Sequence, residues 1–154
     1  MQLLLGKEVT PSNFLRGPLS VSHLRQFHLI IYELLVAIGF EAPEIAENQD
    51  IITLTIDDAL QLNLCAIDQE YWMLQALVGM VSKLSLKEMI GLLNKNRPTD
   101  YLWQPVFAFD EKNDVICWLR LPLYGMDIPG LLSIMEQFIS DARIERIESD
   151  GFSL

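Results

Sequence analysis

The stretch DIITLTIDDALQLNLCAIDQEYWMLQALV, Asp50 to Val78, holds three runs in which apolar and polar residues alternate, separated only by short acidic segments. Ile52, Leu54 and Ile56 alternate with Ile51, Thr53 and Thr55, and Leu60, Leu62, Leu64 and Ala66 alternate with Gln61, Asn63 and Cys65. This period of two belongs to half-buried strands. The third run sets Trp72, Leu74, Ala76 and Val78 against Tyr71, Met73, Gln75 and Leu77. A slip of one residue would turn every apolar side chain to the wrong face, so the pattern specifies register as well as strands. Pairing Ile56 with Leu60 leaves Asp57-Asp58-Ala59 as the loop, and pairing Ile67 with Tyr71 leaves Asp68-Gln69-Glu70; both keep Leu opposite Leu. A two-residue turn at Asp57-Asp58 would set Leu54 against Gln61 and is rejected on that ground.

Around this centre the chain has 154 residues, enough for one domain with a core that needs no disulfide or metal. Its hydrophobic fraction of 51% and mean hydropathy of +0.25 are high for a single core and imply apolar surface that something else covers. No uncharged apolar run approaches the roughly 18 to 20 residues that span a bilayer. Met1 to Val9 lacks the basic start of a signal peptide, which points to the cytosol, with Cys65 and Cys117 reduced. The net charge of −10 argues against nucleic acid, and Gln26 to Ser82 contains no Lys or Arg.

Met1 to Leu19 contains Gly6, Pro11, Gly17 and Pro18 without a sustained period and reads as an extension, loose or docked as extended chain. Val21, Leu24, Phe27, Ile31, Leu34, Leu35 and Ile38 recur at helical spacing after a Ser20 or Ser22 cap and stop at Gly39. Past the three strands, Ser85 and Glu88 form a capping box for a short helix with Leu86, Met89, Ile90 and Leu93 on its apolar stripe. A hairpin follows around Glu111-Lys112-Asn113, pairing Phe109 with Val115, Phe107 with Cys117, Ala108 with Ile116 and Val106 with Trp118. Asp127 and Pro129 start a last helix through Ala142, and Glu145, Glu148 and Asp150 oppose its dipole so that its end frays. The expected fold is therefore α+β, a five-stranded antiparallel sheet with three helices in the order α-β-β-β-α-β-β-α. The expected division is an extension over 1–19, one domain over 20–148 and a tail over 149–154.

Catalytic chemistry finds little support. His23 and His28 stand five apart, off a common helical face, and a tetrahedral metal site needs three or four converging ligands, so no metal or other cofactor is expected. Cys65 as a nucleophile would need a triad geometry that no motif supplies, and Asp57-Asp58 at a hairpin tip reads as a solvated turn. No Gly-rich phosphate loop, zinc-protease motif or serine elbow occurs, and an enzyme is disfavoured. More informative is the sheet face turned from the helices, where register places Met73, Leu77, Val106, Ile116 and Trp118 among Thr53, Thr55, Asn63, Gln75 and Arg120. That mixture is the composition of an interface, although a loop or the N-terminal extension would also cover it.

The layout resembles the class I chaperones of type III secretion systems, the family that includes the chaperones of the Tir effector. The resemblance spans Ser20 to Ala142 and is carried by LLVAIGF (34–40), DIITLTID (50–57), LQLNLCAID (60–68), YWMLQALVG (71–79), SLKEMIGLLN (85–94), VFAFDEKNDVICWLRLPL (106–123) and MDIPGLL (126–132). The extension 1–19 is longer than the family usually carries. What the resemblance implies is a bacterial cytoplasmic homodimer without a cofactor. It would bind the N-terminal segment of a secreted effector, keep it soluble and deliver it to the export apparatus, whose ATPase is a further candidate partner. By the same resemblance the helix with Leu86, Met89, Ile90 and Leu93 forms the dimer interface, with Leu92 also looking exposed. The client surface would use the first helix around Leu24 and Phe27 and the outward sheet positions Met73, Val106, Ile116 and Trp118. The alternatives are a structural or regulatory protein-binding subunit and, less favoured, a small enzyme.

Overall fold

The computed structural model describes residues 3–6 and 21–150, with side chains over 24–80 and 82–143. Its elements run β1 (Leu3–Gly6), α1 (Val21–Ala37), β2 (Ile51–Ile56), β3 (Leu60–Ala66), β4 (Tyr71–Met80), α2 (Leu86–Lys95), β5 (Val106–Phe109), β6 (Asp114–Pro122) and α3 (Ile128–Asp150), with a 3-10 turn at Val81–Lys83. The three helices and five strands expected from the sequence are present in the expected order. A sixth strand joins them from the N-terminal extension, and the antiparallel sheet is ordered β1-β2-β3-β4-β6-β5.

The registers follow from the alternation. Ile56 pairs with Leu60 and Leu54 with Leu62, Leu64 pairs with Leu74, and Val106, Phe107, Ala108 and Phe109 pair with Trp118, Cys117, Ile116 and Val115. The first loop is Asp57-Asp58-Ala59, with Asp57 and Asp58 at φ 51° and 56°, the left-handed geometry that short acidic residues tolerate. Every inward position of β2, β3 and β4 is buried against α1 and α3, from Ile52 and Leu62 to Trp72, Leu74 and Ala76. Each buried Leu or Ile among them contributes about 1.5–3 kcal/mol of transfer free energy, so the face of the sheet dictates where the helices lie.

The helix ends are specified locally. α1 stops in a Schellman motif: Gly39, at φ 106°, donates to the Val36 carbonyl and Phe40 to that of Leu35. The serine cap expected at its start falls at residues whose side chains are not among those described. At α2, the Glu88 amide donates to Ser85 Oγ while the Ser85 amide donates to Glu88 Oε2, the expected capping box. At α3, the Gly130 amide donates to Asp127 Oδ1 at 2.8 Å, and a Cβ on Gly130 would lie 2.7 Å from that oxygen, so a larger residue there would have to shift the capping carboxylate. α3 continues past Ala142 to Asp150. Of the tail expected to fray, 151–154 lie outside the described residues.

Candidate functional site

Among the described residues, three surfaces carry apolar side chains that lie outside the core. The first is the outer face of the sheet, where register assembles rows across the strands. Thr53, Asn63, Gln75, Trp118 and Val106 stand in one row; Cys65, Met73 and Arg120 flank it on one side, and Leu77, Ile116 and Ala108 on the other. Thr53 Oγ1 and Asn63 Oδ1 lie 2.8 Å apart, and the Arg120 guanidinium lies 5.6 Å from the centre of the Tyr71 ring. Trp118, Val106 and Ile116 are half-buried and Leu77 is exposed. Met73 departs from expectation. It lies on this face but is only 7% exposed, so it supports the patch from beneath and offers a partner little surface.

The second surface lies on α1. Leu24 and Phe27, expected to contact a partner, are 1% and 0% exposed and belong to the core, Phe27 packing against Trp72 at 6.4 Å between ring centres. That assignment is corrected here: a partner would reach these side chains only by opening the domain. The exposed flank of the same helix carries Leu29, Tyr32 and Val36 at 52%, 44% and 47% exposure. Arg25, His28, Leu29 and Tyr32 form one wall of an open groove of about 760 Å³, and Pro43, Ile45 and Glu47 form the other. His28 Nε2 donates to the Gln49 carbonyl at 2.7 Å and ties the helix to the segment that closes the groove. The spacing 29, 32, 36 is itself helical, and this second stripe was the available signal. It was masked because α1 is apolar over most of its circumference.

The third surface is α2. Leu92 is buried, contrary to its expected exposure, because it anchors the helix to the core. Leu86, Ile90 and Leu93 are 70%, 50% and 62% exposed, with Met89 partly exposed between them, a stripe at i, i+4 and i+7 turned away from the domain. The Asn96 cap of α2 fixes its orientation: its side-chain amide donates to the Phe107 carbonyl and accepts from the Phe107 amide, both at 2.8 Å.

Among the described residues no cluster of His, Cys, Asp or Glu is arranged to hold a metal ion. Cys65 and Cys117 are buried and form no disulfide. Burial pushes the Cys117 thiol up to about 12, with Asp141 adding to the shift and Lys95 opposing it, so it is protonated and a poor nucleophile. Asp57 at its hairpin tip is bound by Arg143, and both side chains are exposed. No helix among the described residues is long and apolar enough to cross a membrane.

The sequence pattern of the Tir chaperone protein (CesT) family matches residues 30–146. No curated protein matches the chain in sequence. Among solved structures, the fold is similar to that of the Yersinia pestis type III secretion chaperone SycH, in complex with a stable fragment of YscM2. The TM-score is 0.62 at 19% identity, over 75% of this chain and 96% of that one. It is similar to a chain of the HopA1-SchA chaperone-effector complex (TM-score 0.64, 19% identity, 84% of this chain and 98% of that one). A chain of the ExsC-ExsE complex matches at TM-score 0.65 and 17% identity, over 79% and 91% of the two chains.

Proposed function

The chain belongs to the Tir chaperone protein (CesT) family, and from that premise we propose that it is a bacterial cytoplasmic chaperone of type III secretion. It binds the N-terminal segment of a secreted effector, keeps that segment soluble and unfolded, and presents it to the export apparatus. The observation that carries this reading is the coexistence, among the described residues, of three apolar surfaces outside the core with a net charge of −10 for the chain. An isolated monomer with such surfaces would tend to associate nonspecifically, whereas like charge keeps a loaded carrier dispersed. The α2 stripe of Leu86, Met89, Ile90 and Leu93 serves a two-fold homodimer, because a self-complementary stripe is what a two-fold axis requires. The α1 flank of Leu29, Tyr32 and Val36 and the outer row around Val106, Ile116 and Trp118 serve the client. Neither role calls for catalysis or a cofactor.

The test is direct. Labelled N-terminal segments of proteins encoded beside this one should bind in solution without their folded domains, and deletion of the chaperone should lower secretion of the same proteins. Binding only to an intact folded partner, with secretion unchanged, would make the chain a structural or regulatory subunit instead.

A further inference from the structure

The two edges of the sheet are treated differently. At the β5 edge, the Phe107 amide and carbonyl that point away from β6 are both taken by the Asn96 side chain, and Pro105 just before the strand has no N–H to offer. These devices blunt an edge against strand addition. At the other edge, β2 has six residues of alternating pattern, and among the described residues Leu3–Gly6 pairs with its Thr53 to Ile56. Leu3, Leu4 and Leu5 are consecutive, so this strand lacks the alternation that would pin one register; a slip still sets a leucine across from core positions Leu54 or Ile56. A strand of four residues ending in glycine is itself a poor template for further addition.

We infer that Leu3–Gly6 occupies in cis the sheet's strand-accepting edge, and that an extended segment of a partner displaces it to pair with the whole of Ile51–Ile56. The inference rests on the reading of the chain as a binder of extended client segments. Asp50 stands at one end of β2 and Asp58 at the loop beyond the other, so the segment that fits has alternating apolar residues and basic flanks. A covalently joined strand competes at an effective concentration on the order of millimolar, which sets the threshold a client must exceed.

The probe is a labelled peptide of this chain's own residues 1–9. It should bind the chain lacking residues 1–6 at least about tenfold more tightly than the full chain. Leu4→Pro with Leu5→Pro in the full chain should reproduce the gain without truncation, since one of any two successive residues directs its N–H into the ladder. The same pair of prolines in the peptide should abolish binding. Leu4→Cys with Thr55→Cys, opposed in register, should lock the edge when oxidised and exclude the peptide until reduced. Equal binding to the full, proline-substituted and locked chains, or none to a truncated chain with an intact fold, overturns the inference. A truncated chain that takes the peptide while no secreted-protein segment binds either form leaves the edge standing and removes the chaperone reading. Client segments that bind the locked chain at full affinity keep that reading and overturn this one.

Discussion

Trp118 is half-buried on the outer face, level with Gln75 and Val106 and directed away from the buried Cys117 and Leu119 on either side of it. An indole covered by a partner is a typical interface anchor, contributing about 2 kcal/mol or more. Trp118→Ala should therefore weaken client binding at least about tenfold, since about 1.4 kcal/mol is a factor of ten. The thermal transition should barely move, and a calorimetric loss of the fold would put Trp118 in the core instead. Cys117 makes a second prediction at this scale. Its folded-state value is raised above the ordinary 9.0, so the folded protein keeps a proton that the unfolded chain releases. Stability from this group is complete below pH 9 and is lost as pH rises from there towards 12. Melting temperatures between pH 8 and 10.5 should fall less steeply for Cys117→Ala than for the native chain, and native Cys117 should resist alkylation. The alternation in 50–78 and 106–123 made the faces of Trp118 and Cys117 legible, because register depends only on period. The burial of Leu24 and Phe27 was not legible, since a helix apolar on two flanks does not say which one meets the sheet; that of Met73 in β4 was not either, since register gives a side chain's face and not how closely its neighbours cover it.

At the scale of the element, α2 is held at three points: the Ser85–Glu88 box, the buried Leu92, and the Asn96 amide on β5. Its exposed leucines are therefore presented on a fixed helix. Leu93→Asp should convert the proposed dimer to monomer, seen as a halved mass in light scattering, because the interface would bury an unpaired charge. A native chain already monomeric at micromolar concentration would remove the dimer. The cap also carries a pH dependence. The Ser85 amide, and secondarily its hydroxyl, hold the Glu88 carboxyl below its ordinary 4.5, so its contribution is present above that value and is lost as pH falls through the lowered one. Acid should thus loosen the dimer before it unfolds the sheet, and Glu88→Gln should remove that acid step. The caps that start α2 and α3, the glycine stop of α1 and the hairpin loops were readable in the sequence, each being a local hydrogen-bond problem with few solutions. β1 was only half readable: Leu3–Gly6 has no alternation, and it pairs with residues about fifty positions away, so nothing in its own sequence names its partner.

The whole molecule carries ten net negative charges, and the stretch from Gln26 to Ser82 contributes acids with no Lys or Arg among them. Bringing two such chains together along α2 doubles that charge in one particle, so the apolar gain at the interface works against long-range repulsion. Repulsion between exposed charges acts over the Debye length, about 30 Å at 0.01 M salt and about 8 Å at 0.15 M. Adding salt should therefore tighten the dimer, with most of the gain complete by roughly 0.15 M because screening saturates there. A salting-out effect on the apolar stripe would instead keep growing with concentration. Client segments with basic flanks should respond oppositely, binding more weakly as salt screens their attraction to Asp50 and Asp58. Sedimentation equilibrium and anisotropy titrations across one salt series measure both. Opposite slopes would assign self-association to apolar contact opposed by charge and client capture to apolar contact assisted by it; a dimer that weakens with salt would mean that ion pairs, not the leucines of α2, hold the two chains together.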